Sequence, residues 1–345
     1  TLGHLFTTTG PGGYSHQTAL VHSSQDDRLS RVGAGWRATF NARAQRFSDG
    51  SVLIVRGDGS SYHFLPDGAG GFAVDANQGA RLVDAGGGRL ELRVDDASTW
   101  VFDASHPEGV GDLVEIRDGN GQVTTFTYAP LSGDPLFRSL TGITLPGNQS
   151  ITVASNAEGL VTGLTAPDGR SWTLTYDGGR HLVGLVFPDG ASKSFAYDAA
   201  GRITAAVDAT GTTYLTNSYD DAGRVTSQGD AAGQVRSLSY SAGIGTAGTS
   251  TYTDAAGQVW TYSFDERSRV TGFTNPLGER TEFGYSALDA ATSVTDPDGA
   301  RTDLVLDAAG RPLAVTDPAG AVTEVAYDAQ GRVVETVIPA AEDDE

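Results

Sequence analysis

Short segments in which apolar and polar residues alternate with a period of two recur along the chain. The clearest runs from Val259 to Phe264, with Trp260, Tyr262 and Phe264 on one face. Such alternation predicts a β-strand with one half-buried face. No helical period extends over ten residues. The pattern therefore predicts an all-β fold of antiparallel hairpins.

A large apolar or aromatic residue ends most of these segments and recurs with an almost constant period. From Tyr176 to Tyr327 the spacings are 21, 22, 21, 24, 21, 21 and 21 residues, and Tyr128 extends the series toward the N-terminus. A fixed period of this length is typical of a repeat architecture. We call these residues the anchors: Tyr128, Tyr176, Tyr197, Tyr219, Tyr240, Phe264, Tyr285, Leu306 and Tyr327.

Two turns are predicted in each repeat. The first follows the anchor and reads Asp-x-x-Gly-Arg; a Gly-Arg pair also occurs at Gly179-Arg180. The second contains Pro and Gly, as in Pro297-Asp298-Gly299. Asp bonds to its own backbone, Pro presets φ and Gly supplies a positive φ, which are the properties of turn residues. The first turn has the signature residues Asp198, Gly201, Arg202, Asp220, Gly223, Arg224, Asp307, Gly310, Arg311, Asp328, Gly331 and Arg332.

Two irregularities interrupt the period. The repeat that ends at Tyr219 has one extra residue, which predicts a β-bulge near Tyr214. The repeat that ends at Phe264 has three extra residues within the Gly-rich stretch 242–250. We interpret that small, uncharged stretch as a loop that acts as a spacer.

The composition excludes several classes of partner and site. The net charge of −20 disfavours nucleic acid and anionic lipid as partners. The absence of Cys excludes disulfides and thiolate metal sites, and no apolar run is long enough for a membrane span. Because the sequence also lacks Met, we expect a processed product or a piece of a longer chain.

No residue pattern predicts catalysis, a cofactor or a metal ion. The six His lack zinc-ligand spacing, and Asp118–Gly121 reads more strongly as a hairpin turn than as part of a calcium loop. The carboxylates recur with the repeat, which favours a structural role, since a catalytic pair is normally unique. We therefore expect a protein that is not an enzyme, with no cofactor.

The repeat resembles the YD repeat of the rearrangement-hotspot (Rhs) family. The resemblance is strongest at Leu306–Arg311 with Asp317–Gly320, and at Tyr327–Arg332. The segment Asp26–Trp36 is similar to the one that opens many Rhs cores. The family includes bacterial polymorphic toxins, shell subunits of insecticidal toxin complexes and animal teneurins. The resemblance implies that the repeats form a long sheet, which spirals into a hollow shell. In the toxins of this family the shell surrounds a C-terminal effector, and in teneurins it belongs to an adhesion receptor.

The resemblance implies three regions in this chain. These are an opening segment of hairpins at 1–105, a repeat array at 106–338 and an acidic tail at 339–345. About ten repeats of two strands, spaced roughly 4.8 Å apart, give a strip on the order of 100 Å long. Curled once, such a strip would barely enclose a domain of about 100 residues, so we expect a segment of a shell wall. The sequence shows no effector and no self-cleavage motif.

Two functions follow from this resemblance. The first is a structural segment of a larger secreted Rhs-type protein, whose partners are the rest of the parent polypeptide or an encapsulated effector. The alternative is a cell-surface or carbohydrate-binding adhesion module, with a glycan or a second copy as partner. Buried anchor tyrosines would favour the scaffold, and a row of exposed ones would favour a binding platform.

Overall fold

The computed structural model describes residues 3–9, 15–23, 29–73, 80–94, 98–106, 108–243, 245–287, 289–307, 310–328 and 331–338. These residues hold 32 strands and one short 3-10 helix, Thr39–Asn41. The predicted all-β fold of antiparallel hairpins is confirmed. No helix of the described part is long and apolar enough to cross a membrane. The predicted acidic tail at 339–345 lies outside the described residues.

The chain divides into two compact units, Thr1–Asn217 and Ser218–Glu345. The strands that begin in the first unit are β1 (Gly3–Thr9), β2 (Ser15–His22), β3 (Leu29–Ser30), β4 (Gly33–Ala34), β5 (Trp36–Arg37), β6 (Arg43–Arg46), β7 (Val52–Val55), β8 (Ser61–Phe64), β9 (Ala80–Gly86), β10 (Arg89–Val94), β11 (Ser98–Asp103), β12 (Val110–Asp118), β13 (Val123–Leu131), β14 (Asp134–Leu145), β15 (Gln149–Ser155), β16 (Val161–Thr165), β17 (Ser171–Tyr176), β18 (Leu182–Val186), β19 (Ser192–Tyr197), β20 (Ile203–Asp208) and β21 (Thr213–Tyr219).

The strands of the second unit complete the series. They are β22 (Val225–Asp230), β23 (Val235–Tyr240), β24 (Gly248–Thr253), β25 (Val259–Phe264), β26 (Val270–Thr274), β27 (Arg280–Tyr285), β28 (Ala291–Thr295), β29 (Arg301–Leu306), β30 (Pro312–Thr316), β31 (Val322–Tyr327) and β32 (Val333–Val337). The predicted spacer loop is shorter than expected, since β24 begins at Gly248.

Each strand of the array pairs antiparallel with the next one along the chain. In the first unit this holds from β9 to β21, and β12 also pairs with β6. In the second unit it holds from β22 to β32. The predicted boundary between the opening segment and the repeat array, at 105/106, stays a prediction.

The bulge predicted near Tyr214 is confirmed. Across β20 and β21, Ala206 pairs with Leu215 and Val207 with Thr213, so Tyr214 is the extra residue. A second, regular bulge recurs in the array at the hairpins that carry the first turn. Between β17 and β18, for example, the partner changes from Gly184 to Leu182 and leaves Val183 unpaired.

The buried core lies in the first unit. In β17, Trp172 and Leu174 are buried while Ser171, Thr173 and Thr175 are exposed, as the alternation predicts. Trp36 and Phe40, in the segment after β4, are also fully buried. Every buried apolar side chain among the described residues lies before residue 217, and the corresponding face of the second unit is half-exposed.

Candidate functional site

In the repeats that have Asp after the anchor, the first turn is a hairpin loop that this Asp holds closed. The backbone N–H of Asp198 donates to the Arg202 carbonyl at 3.0 Å, and Gly201 donates back to the Asp198 carbonyl. Asp198 Oδ1 accepts the N–H groups of Ala200 and Arg202, both at 3.0 Å. Gly201 has φ 76°, a conformation that glycine adopts without a steric penalty. One carboxylate oxygen therefore organises the whole turn.

The arginine that ends the turn binds the other carboxylate oxygen. In the second repeat of this kind Arg224 Nε donates to Asp220 Oδ2 at 2.8 Å. The same bond, at 2.7 Å, joins Arg202 to Asp198, Arg269 to Asp265, Arg311 to Asp307 and Arg332 to Asp328. The Asp and Arg residues of the predicted signature thus lie in contact within one turn.

One turn departs from the predicted alignment. The predicted turn has its Gly-Arg pair at Gly179-Arg180, but Arg180 itself has the positive φ of 65°. His181 takes the arginine's position, and its Nδ1 lies 3.0 Å from Asp177 Oδ2. The turn spans the same five residues as the others, so the glycine is one position early here.

The hydroxyl groups of the tyrosine anchors join the two strands of a repeat. Tyr197 donates to the carbonyl of Leu182, the first residue of β18, at 2.6 Å. The acceptor lies 15 residues before the donor in every case. The other bonds join Tyr128 to Leu113, Tyr176 to Val161, Tyr240 to Val225, Tyr285 to Val270 and Tyr327 to Pro312.

Two anchors differ from this arrangement. Phe264 and Leu306 have no hydroxyl group. Tyr219 follows the one-residue insertion; there the Asn217 amide donates to the carbonyl of Ile203, the first residue of β20, at 3.1 Å. All nine anchors are half-buried. The tyrosines are therefore neither fully buried nor presented as a row of free hydroxyl groups.

In three repeats the arginine of the first turn stacks on the tyrosine anchor that ends the same repeat. The guanidinium carbon of Arg224 lies 4.3 Å from the ring centre of Tyr240. Arg269 lies at 4.9 Å from Tyr285, and Arg311 at 4.6 Å from Tyr327. Cation–π contacts at this distance are stabilising. Each of these turns thus contacts the next tyrosine anchor along the chain through its arginine.

We expect Tyr285→Phe to destabilise the protein by about 0.5–1.5 kcal/mol, the usual net value of one hydrogen bond. It removes the 2.8 Å bond to the Val270 carbonyl and keeps the ring under Arg269. Tyr262→Phe is the control, since Tyr262 is 36% exposed and lies on β25, two strands before β27. Urea denaturation measures both variants. Equal losses would mean that the anchor hydroxyl has no special role.

We expect Asp265→Asn to destabilise the protein at pH 7 and to destabilise it less at pH 3. The hydrogen bond from Arg269, together with backbone N–H groups, lowers the pKa of Asp265 below its usual value of 3.8. A lowered pKa stabilises the fold above the unfolded-state pKa, and this stability is lost as the pH falls through the folded-state value. Thermal unfolding at the two pH values is the measurement.

Asp254→Asn is the matched control for this prediction. Asp254 Oδ1 accepts the same two backbone N–H bonds, from Ala256 and Gln258, in a turn whose fifth residue is Gln258 rather than arginine. Asparagine can keep both bonds. If the two variants melt alike at pH 7, the Asp–Arg contact contributes nothing to the turn.

The segment after β2 is fixed to the sheet of the first unit by charge and hydrogen bonds. Arg31 is 1% exposed, and its Nη2 donates to Asp112 Oδ1 at 2.6 Å. Its guanidinium also lies 4.5 Å from the ring centre of Tyr128. Trp36 Nε1 donates to the Tyr197 hydroxyl at 2.8 Å. Two anchors of the array thus hold this segment.

Sequence reasoning did not predict these contacts. Arg31 and Trp36 belong to the segment that resembles an Rhs opening, but nothing local identifies Asp112, 81 residues away, as a partner. Asp118 closes a hairpin turn, with its Oδ1 on the N–H groups of Asn120 and Gln122. No cluster of His and carboxylate groups suited to a metal ion occurs among the described residues.

The chain is similar to known proteins in sequence and in fold. The RHS Repeat family model matches residues 156–192, 179–213 and 307–342. No curated protein matches the chain. The Photorhabdus luminescens Tc holotoxin pore is 13% identical with a TM-score of 0.45, and the match covers 82% of this chain and 19% of that one.

Two further solved structures are similar. The TcdB2-TccC3-Cdc42 structure is 12% identical with a TM-score of 0.48, over 96% of this chain and 21% of that one. The N-terminal domain of effector protein SpvB from Salmonella typhimurium strain LT2 is 13% identical with a TM-score of 0.31. The match covers 59% of this chain and 97% of that one. The chain spans about a fifth of the length of the toxin-complex chains. The predicted resemblance is confirmed by the family match, and the chain contains RHS repeats at 156–213 and 307–342.

Proposed function

We propose that this chain is a structural wall segment of a larger secreted or cell-surface Rhs-type protein. The wall encloses or presents a C-terminal effector, and the segment has no catalytic activity of its own. The observation that carries the proposal is the set of tyrosine bonds with a constant offset of 15 residues. They use the most distinctive side chain of each repeat to hold the two strands of that repeat together.

The polar groups of the repeats support the same role. The Asp and Arg residues of the first turn are occupied by each other and by backbone groups, as at Asp220 and Arg224. A side chain committed to holding a turn is poorly placed to act on a substrate. The net charge of −20 would keep such a wall soluble and away from nucleic acid and membranes.

Protease protection in the parent protein tests the wall function. We expect the enclosed effector to become cleavable only at the temperature at which this chain unfolds. A variant that destabilises this chain should lower both temperatures by the same amount. Cleavage of the effector at room temperature, while the chain is still folded, would contradict the proposal.

A second candidate function is glycan binding by the second unit. Tyr252 and Trp260 have ring centres 5.3 Å apart, and Tyr262 and Phe273 have theirs 5.1 Å apart. The four side chains are exposed or half-exposed, as sugar-binding platforms are. Saturable binding to an immobilised glycan that Trp260→Ala abolishes would favour adhesion over the wall function.

A further inference from the structure

A polar cavity of about 320 Å³ lies in the first unit, beside the anchor Tyr128 and away from the Asp-Arg turns of the array. Arg43 on β6, Asp112 on β12 and Arg138 on β14 line it. Strand pairing places Asp112 opposite Arg43 and opposite Asp103, so charged side chains of three adjacent strands meet there. Ser105 and His106 complete the polar lining. The volume is at the lower end of the range of small-molecule sites.

The charges around the cavity do not balance. Asp112 is 4% exposed, and three arginines surround it: Arg31 at 2.6 Å, Arg43 at 3.6 Å and Arg138 at 3.9 Å. Asp103 is the second carboxylate and lies 3.7 Å from Arg138. Three cations thus share two anions. In a chain of net charge −20, this is a local excess of positive charge.

The arginine closest to solvent has donors to spare. Arg138 Nη1 lies 3.7 and 3.9 Å from its two carboxylates, beyond the roughly 2.7–3.2 Å of a hydrogen bond. Its side chain is 35% exposed. Its guanidinium donates no hydrogen bond to another described residue. A planar guanidinium of this kind binds carboxylate and phosphate oxygens with two parallel bonds.

His106 supplies a second donor. Its Nδ1 accepts the backbone N–H of Glu108 at 3.2 Å, so the neutral ring carries its proton on Nε2. Ser105, the residue before His106, is exposed and offers its hydroxyl group as a further donor. Guanidinium, imidazole N–H and hydroxyl groups together form a donor set suited to an oxyanion.

We propose that this cavity binds a small molecule through a phosphate or carboxylate group. Arg138 and His106 donate to the oxyanion, Arg43 adds positive charge, and Val110 and Pro130 contact the carbon part of the ligand. The inference is independent of the wall function, since no residue that lines the cavity is an anchor or a signature residue of the first turn.

The test is a titration followed by NMR on the ring C–H resonances of His106, which are identified by their loss in His106→Gln. The probes are inorganic phosphate and glucose 1-phosphate in one arm, and acetate and glucuronate in the other, at constant ionic strength. We expect at least one arm to shift the His106 resonances to saturation while those of His63 do not move. The arm that saturates identifies the oxyanion.

Arg138→Gln should weaken this binding at least tenfold. Arg170→Gln is the matched control, because Arg170 is a half-exposed arginine of the same unit that pairs with Asp168 at 2.7 Å. If Arg138→Gln fails to fold, calorimetry on His106→Ala gives a second measurement of the same loss. Shifts that never saturate in either arm, or equal affinities in Arg138→Gln and Arg170→Gln, would overturn the proposal.

Discussion

A protein that lacks residues 286–306 should fold, whereas one that lacks residues 286–305 should not. The first deletion removes 21 residues, β28 and β29 with their turns, and joins Tyr285 directly to Asp307. The join recreates the Tyr-Asp-x-x-Gly-Arg sequence found at Tyr327–Arg332. The turn from Asp307 to Arg311 can then connect β27 to β30 in the usual register. The free energy of unfolding should fall only by the contribution of one repeat and its contacts with its neighbours.

The 20-residue deletion leaves Leu306 between Tyr285 and the turn. The turn then begins one residue late, and β30 meets β27 displaced by one position. A displacement of one residue turns alternate side chains to the opposite face of the sheet, or requires a new bulge. We therefore expect this variant to aggregate or to unfold at a clearly lower temperature.

Thermal unfolding and size-exclusion chromatography compare the two variants, which differ in mass by one residue. Similar melting temperatures and elution volumes for both would show that the 21-residue period does not set the strand register. The wall function would then lose its structural basis.

The second large effect is expected for Asp112→Ala, which should destabilise the first unit by about 3–5 kcal/mol. Removal of one partner from a buried ion pair leaves the other charge uncompensated, and losses of this size are typical. Arg31 would remain 1% exposed, with only the carbonyls of Phe40 and Arg138 as hydrogen-bond acceptors. The segment that carries Trp36 should then separate more readily from the sheet.

Asp84→Ala is the control for this prediction. Asp84 pairs with Arg46 at 2.7 Å, about the same distance as the buried pair, but both side chains are about a third exposed. Exposed pairs contribute about 0–1 kcal/mol. Denaturant unfolding, followed by the fluorescence of Trp36 and its neighbours, measures both variants. A loss below about 1 kcal/mol for Asp112→Ala would mean that water compensates Arg31 for the missing carboxylate, or that the buried pair contributes no more than an exposed one.

The sequence by itself determined the features that depend on neighbouring residues. The alternation in Ser171–Tyr176 predicted a strand with one buried face, and the extra residue before Tyr219 predicted the bulge at Tyr214. Both are local properties, since side-chain direction has a period of two in any strand. The two kinds of turn also share one geometry: Asp296 and Asp198 each close a loop to the fourth residue after them.

The sequence did not reveal the strand that follows each anchor as clearly. In β18, Leu182 and Leu185 are both buried although they are three residues apart, because the bulge at Val183 interrupts the alternation. A period-two search therefore detects β17 and β19 more readily than β18. The extra residue is recognisable only once the partner strand is known.

Only the tertiary structure decided which distant groups meet. The acceptor of each tyrosine hydroxyl lies 15 residues earlier, at a place fixed by strand register and not by any local signal. Arg31 and Asp112 are 81 residues apart, and the cavity beside them is built from β6, β11, β12 and β14. Repeat period and turn chemistry are written in adjacent residues, whereas a buried charge needs a partner that the folded chain alone brings within reach.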